Sequence, residues 1–333
     1  MNHKVAFKNT LEIKNVGNPV FVPFVYGLAA KIGQIPLREM VSNATYYAHS
    51  LEAAYKLFNY DVIINSFDST IEPEVFGCNL EWCGDYEVPR VIGWESHELK
   101  TVDLRRSSRI PILMETTKRI VMSLGKEVAV AGVLTGPCSL VKNLLEPAKA
   151  GAEHEIEDVI SAVGSLLTQF ARSLCELKVD AVFFREDSLG ASYWEELLTL
   201  NKPYAGIYTT LFNVIRYFNG YPLLIVKDLR LEVVEDLHKM LKPSGVILCG
   251  ERVDEADLAY LKDLSDSLRI AFGLPLPMET QKGLWNQFNI INDFICKYEP
   301  AGVFYTSDGE VPHDTPLEII HDLVAKIRNT QKR

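Results

Sequence analysis

The sequence predicts an α/β protein folded as a (β/α)8, or TIM, barrel, and three observations carry that expectation. Short apolar runs rich in β-branched residues recur eight times along the 333 residues. Segments of helical periodicity separate them. Proline- and glycine-bearing junctions end those segments just before the next run.

The runs are Pro19–Phe24, Asp61–Phe67, Val128–Thr135, Asp180–Phe184, Pro222–Val226, Gly245–Cys249, Leu268–Phe272 and Gly302–Tyr305. Each is continuously hydrophobic rather than alternating, as in parallel strands buried on both faces. Apolar residues three and four apart predict helices over Leu37–Tyr60, Ile156–Leu177, Val233–Leu241, Leu284–Cys296 and Leu317–Ile327. Pro243-Ser244-Gly245, Gly220-Tyr221-Pro222 and Pro300-Ala301-Gly302 are the stops. Eight alternating units favour a closed barrel, with a doubly wound open sheet as the alternative. No glycine-rich phosphate-binding motif follows any run, which weighs against the nucleotide-binding form of that alternative. The stretch Ser69–Lys100 is rich in Trp, Pro, Gly and acidic residues and too long for a simple βα loop. It predicts an elaborated hairpin over the barrel mouth. No composition break divides the chain, so residues 1–333 read as one domain.

Composition narrows the class. Hydrophobic residues make up 47% and charged residues 23%, the balance of a globular domain with a full core. A net charge of -10, with no Lys/Arg-rich run, excludes nucleic acid as an expected partner. No apolar stretch approaches the ~20 residues that cross a bilayer, and Met1–Lys14 lacks a signal-peptide core. A soluble, cytoplasmic protein is expected. Six cysteines without C-x-x-C spacing read as reduced thiols, not as a disulfide framework or zinc ribbon.

Catalytic groups of such barrels come from the carboxyl ends of the strands. The polar residues there are Tyr26, Asp68, Thr135, Glu186 with Asp187, Lys227 with Asp228, Cys249 with Glu251, and Ser307–Glu310 with His313. Asp68 either receives a proton or cation, or caps the next element. Glu186 and Asp187 are neighbouring carboxylates suited to acid–base work or hard-metal ligation; pairing with Arg185 or a helix cap is the structural alternative. Lys227 offers a cation to an anionic substrate group, or a plain ion pair. Cys249 reads as a small core residue or as a zinc ligand without a partner at short spacing. His313, in a Pro-His-Asp-Thr-Pro loop, is placed for proton transfer. Trp82, Trp94, Trp194 and Trp285 are pocket walls or core.

Four segments resemble a known family. Asp68–Gly77 (DSTIEPEVFG) resembles the D-x-T-x-E-A-E-x-F-G signature of corrinoid-linked methyltransferases. Gly132–Leu145 (GVLTGPCSLVKNLL) is similar to the G-x-x-x-G-P-x-(S/T)-L segment those enzymes share with uroporphyrinogen decarboxylases. Val179–Asp187 resembles the family's fourth strand, and Asp314–Glu318 its closing turn. The likeness runs from about residue 19 to 328. It implies a uroporphyrinogen-decarboxylase-like barrel, nearest to the corrinoid-dependent methyltransferases. It further implies transfer of a methyl group between a small methylated substrate (a methoxylated aromatic, a methylamine-like compound or a thiol) and a partner corrinoid protein that supplies the cobalamin. Asp68, Glu186 and His313 are then the expected catalytic residues, and Tyr26, Thr135, Asn143, Lys227 and Asp308 the expected substrate contacts. The decarboxylases' tyrosine after the G-P-x-x-L segment falls near Asn143, and their late histidine near Asp308 or Gly309.

The sequence departs from the family in two places. The arginine-rich motif of the decarboxylases has no counterpart in Phe24–Gln34, so porphyrinogen decarboxylation is not expected. The methyltransferases hold zinc with H-x-C-G and a late cysteine, where this chain has Leu224, Val226 and about Gly309, none of which offers a side-chain donor. A different metal set, from Glu186, Cys249, Glu251 and Glu310, is the remaining metal reading. Two other functions stay open. One is a lyase acting on a smaller carboxylic acid, with Asp68 handling the proton and Lys227 the anion. The other is a metal-free, non-catalytic ligand-binding barrel. Oligomeric state is left open.

Overall fold

The computed structural model describes residues 2–94, 103–104, 106–146, 156–186, 202–250 and 252–330. In chain order the strands are β1 (Phe21–Phe24), β2 (Val62–Ile64), β3 (Cys78–Glu81), β4 (Arg90–Trp94), β5 (Ala129–Thr135), β6 (Ala181–Glu186), β7 (Tyr221–Lys227), β8 (Gly245–Cys249), β9 (Ala271–Leu276) and β10 (Val303–Glu310). Eight of them form one sheet in the order β1-β10-β9-β8-β7-β6-β5-β2, with every neighbouring pair parallel. The ends of that sheet meet. Asp61, just before β2, donates its backbone N–H to the carbonyl of Phe21 on β1 at 3.0 Å. Its carboxylate accepts the Phe21 N–H at 2.7 Å. The barrel expectation is met and the open-sheet alternative is not.

All eight apolar runs correspond to barrel strands, and β1, β5 and β9 are buried along their whole length. The seventh strand begins later than its apolar run. Leu268 ends a helix (Glu255–Leu268), Arg269 terminates it in the left-handed region at φ 57°, and β9 begins at Ala271. The helix expected over Leu37–Tyr60 is broken into Leu37–Met40 and Ala44–Phe58. Asn43 causes the break, because its side chain accepts the N–H groups of Thr45 and Tyr46 and so starts a new helix. The prolines at 243 and 300 each follow a left-handed helix cap, Lys242 and Glu299.

The amino ends of the strands carry a stabilising ionic layer, as expected for that face of a barrel. Asp180 accepts the Val130 N–H at 3.1 Å and meets Lys4 and Lys8 of the first helix (His3–Leu11) at 3.0 and 3.2 Å. Asp61 meets His3 at 2.6 Å and Arg328 at 2.9 Å. Chemistry is therefore left to the opposite face. Inside the 69–100 stretch, residues Ile71–Val75 are helical, and β3 pairs antiparallel with β4. Among the described residues no helix is long and apolar enough to cross a membrane.

Candidate active site at the barrel mouth

Beyond the carboxyl ends of the strands lies a cavity of about 540 Å³, lined by Phe67, Arg185, Ile225, Lys227, Asp228, Cys249, Gly250, Glu279, Asp308, Gly309 and Glu310. Strand alternation selects these side chains, since residues two apart share a face. Ile225 and Lys227 of β7 line it, as do Asp308 and Glu310 of β10. Phe67, just past β2, is held between two planar groups. Phe24 stacks on it at 4.6 Å between centroids, and the Arg185 guanidinium lies 4.2 Å from its ring centre. Arg185 also donates to the Phe67 carbonyl at 3.0 Å.

The two ends of the cavity are fastened by backbone amides. Gly27 donates its N–H to Glu310 Oε1 at 2.6 Å. A Cβ at Gly27 would collide with the Tyr86 carbonyl of the β3–β4 connection and crowd Glu310, so this close approach requires glycine. Gly250, at φ 81°, donates to Asp308 Oδ1 at 2.6 Å. Burial pushes the Glu310 carboxyl up to about 7, against the Gly27 bond and the Arg185 charge, with the Asp68 charge raising it further. Burial also raises Asp308, opposed by its amide bond and by Lys227 and assisted by Glu279 and Asp228.

Asp68 follows Phe67 in the chain and is not part of the cavity lining. Its Oδ1 accepts the N–H and hydroxyl of Thr70 at 2.8 and 2.7 Å, and its Oδ2 meets Arg109 at 2.6 Å. Arg109 extends the cluster to Glu74 at 2.7 Å and Thr70 at 2.9 Å, and lies over the Trp82 ring.

The expected site residues divide. Lys227, Asp308, Cys249 and Glu310 gather around the cavity, and Asp68 adjoins it. Glu186 does not line it. Next to Arg185 on β6, it projects to the other side of the wall, is fully buried, and accepts the N–H groups of Cys138 and Ser139 at 3.1 and 2.7 Å. The Tyr208 hydroxyl also donates to it. That is a cap on the helix Pro137–Leu145, and burial raises the carboxyl. Thr135 is occupied as well, giving its N–H and hydroxyl to Glu72 at 2.9 Å each. Burial lifts Glu72 to about 7. Asn143 borders a separate cleft with Ser69, Thr70 and Arg90. Tyr26 is wholly buried beside Tyr47, its hydroxyl without a hydrogen bond of good geometry, and burial raises it well above the ordinary phenol range. His313 packs on Tyr86 at 5.8 Å, outside the cavity lining. Asp187, Trp194 and Glu251 lie outside the described residues.

Three members of the site went unread in the sequence. Arg109 carries no motif and acts only through the fold. Glu279 was hidden by the early placement of the seventh strand, whose true end at Leu276 brings it to the mouth. Arg185 reads in the sequence as a partner for Glu186, although strand alternation sends the two side chains apart.

The donor set does not suit zinc. Leu224 and Val226 are buried aliphatics, and among the described residues no three His, Cys, Asp or Glu side chains gather to hold an ion. Of the set Glu186, Cys249, Glu251 and Glu310, Cys249 and Glu310 line the cavity, Glu186 is behind the barrel wall, and Glu251 lies outside the described residues.

Comparison with known proteins agrees with this architecture. The family model described as uroporphyrinogen decarboxylase (URO-D) matches residues 9–201. The chain belongs to the URO-D family. Among curated relatives, the methylcobamide:CoM methyltransferase MtbA of Methanosarcina mazei is 27% identical over 154 residues, covering 43% of this chain and 45% of that protein. MtbA of Methanosarcina acetivorans is 26% identical over 155 residues, with the same coverage. The match therefore spans less than half the length of either relative. A methyltransferase structure from Methanosarcina mazei superimposes with a TM-score of 0.78 at 14% identity, over 99% of this chain and 98% of the other. A B12-independent methionine synthase from Shewanella sp. W3-18-1 gives 0.56 at 14% identity, over 86% and 88%. At such identities the structural likeness shows that this URO-D family member shares their fold.

Proposed function

We propose that this URO-D family member is the methyltransferase component of a corrinoid-dependent system, moving a methyl group between a small methylated substrate and a partner corrinoid protein. The sequence match to the methylcobamide:CoM methyltransferases carries this reading. The cavity supports it by position, at the carboxyl ends of the strands, and by size, within the ~300–1,000 Å³ usual for small-molecule sites. The corrinoid, carried on the partner, supplies the cobalt that accepts or gives the methyl group.

The chain's own residues bind and orient the substrate. Phe67 and Ile225 offer an apolar wall, while Arg185 and Lys227 offer cations to an anionic substituent. Activation of a thiol on zinc forms no part of this proposal, since Leu224 and Val226 stand where the family has ligands and, among the described residues, no three His, Cys, Asp or Glu side chains gather. The lyase reading is less well supported. It needs Asp68 to handle a proton, yet both Asp68 oxygens are engaged by Thr70 and Arg109.

The test mixes the chain with reduced cobalamin and a panel of methyl ethers, methylamines and methyl thioethers, following the visible spectrum of the cobalamin. Spectral change that depends on both chain and substrate is expected. Carbon dioxide release from small carboxylic acids, with no methyl transfer, would replace this reading with the lyase. Ligand binding without either reaction would leave a binding barrel.

A further inference from the structure

We propose that Glu310 is the proton donor to the leaving atom of the substrate, a carboxylic acid doing what a Lewis-acid metal would otherwise do, and that the substrate is accordingly a methyl ether. This rests on the methyltransferase reading above and names the residue and substrate class for it.

The geometry is that of a positioned acid. Glu310 lines the cavity, and its Oε1 is anchored by the Gly27 amide at 2.6 Å. Its Oε2 has no hydrogen-bond partner among the described residues, so the second oxygen is left for whatever enters the mouth. The charged groups around it come from several elements. Arg185 of β6 favours its anion, and Asp68 after β2 opposes it. Lys227, Asp228, Glu279 and Asp308 complete the charge set lining the same cavity. Desolvation prevails and brings the carboxyl to about 7, so an appreciable fraction carries the proton at neutral pH. A catalytic acid is most effective with its pKa near the working pH.

The leaving atoms differ in what they need. A thiol would call for a metal, and among the described residues no three His, Cys, Asp or Glu side chains gather to hold one. A methylamine is already cationic at neutral pH, because amines bind protons up to about 10, and it gains nothing from a neutral acid. An aryl methyl ether leaves as a phenoxide of pKa about 10, and such a group gains from a proton supplied as it departs. In the step, the methyl carbon–oxygen bond breaks and its electron pair stays on oxygen. That oxygen takes the Glu310 proton and leaves as a phenol. The methyl carbon bonds to the reduced cobalt of the partner's corrinoid, which supplies both bonding electrons. Glu310 is left as a carboxylate and recovers its proton from water.

The test uses the full chain, 4-methoxybenzoate and reduced cobalamin, with Glu310→Gln as the variant. Glutamine keeps an oxygen for the Gly27 amide but cannot supply an acidic proton. Its kcat is expected to fall about 100- to 10,000-fold with KM little changed. The wild-type rate is expected to decline as pH rises through about 7. Without substrate, the wild-type-minus-variant infrared difference spectrum should show a protonated-carboxyl band that disappears over the same range, since Glu72 contributes alike to both proteins. A variant with wild-type kcat, or a difference spectrum without that band, overturns the assignment and leaves the methyltransferase reading standing. Methyl transfer from amines or thioethers but not from the ether overturns the substrate class alone. No transfer from any methylated donor overturns the function on which the assignment rests.

Discussion

The guanidinium of Arg109 meets the carboxylate of Asp68 at 2.6 Å while its Nε meets Glu74 at 2.7 Å. One side chain thus ties the loop after β2 to the start of the helix Ile110–Leu124. Asp68 is buried, with its side chain 0% exposed, so its charge depends on this partner. Removing one member of such a pair leaves an uncompensated buried charge, which costs more than the intact pair contributes.

Arg109→Ala is therefore expected to lower stability by about 3–5 kcal/mol, measured by urea unfolding. Asp68→Asn in the same chain should restore part of the loss, because the stranded charge is then gone. A double variant whose loss equals the sum of the two single losses would show that the residues act independently.

Glu186 is expected to matter for folding more than for chemistry. Without its carboxylate, the Cys138 and Ser139 amides and the Tyr208 hydroxyl lose the bonds they give to it. Glu186→Ala should cost about 2–4 kcal/mol. The remaining folded protein should keep its KM, since the residue does not line the cavity. Unfolding curves and kinetics on the same preparation separate the two. A large rise in KM with normal stability would return Glu186 to the site.

The contrast between Glu186 and Arg185 shows what the sequence could and could not reveal. Continuous apolar runs announce parallel strands, because a buried strand has no polar face to display. Hence all eight barrel strands were legible, and the strand ends marked Lys227, Asp308 and Glu310. Which of two adjacent polar residues faces inward depends on register, and a one-residue difference exchanges the two faces. The site charges that come from loops were illegible for another reason. Arg109 and Glu279 carry no local pattern and reach the site only once the barrel closes. Cap signals were also read too late: Asn43 divides one apparently continuous amphipathic helix because its side chain competes for the backbone N–H groups.

Stability should depend on pH through Glu72. Its carboxyl rises from the usual 4.5 to about 7 on burial, so the folded chain holds this proton more tightly than the unfolded chain. The stabilisation is complete below about 4.5 and is lost as pH rises through about 7, amounting to roughly 3 kcal/mol. Glu72→Gln should flatten that part of the stability profile. Urea midpoints measured across this range check it, and an unchanged slope in the variant would assign the proton to another group.

The cations at the mouth should act on binding before chemistry. Arg185 and Lys227 end adjacent strands, β6 and β7, and both line the cavity. An anionic substituent held between them would be bound equally in the ground and transition states, and such uniform binding appears in KM rather than kcat. Replacing either residue with methionine should raise KM for a carboxylate-bearing substrate roughly 10- to 100-fold, the worth of one hydrogen bond to a charged group. The matching neutral substrate should respond much less. Equal effects on both substrates would mean that the cations shape the cavity without reading charge. A fall in kcat at constant KM would mean that one of them meets charge arising only as the bond breaks, and the departing oxygen would then need to be placed against that cation.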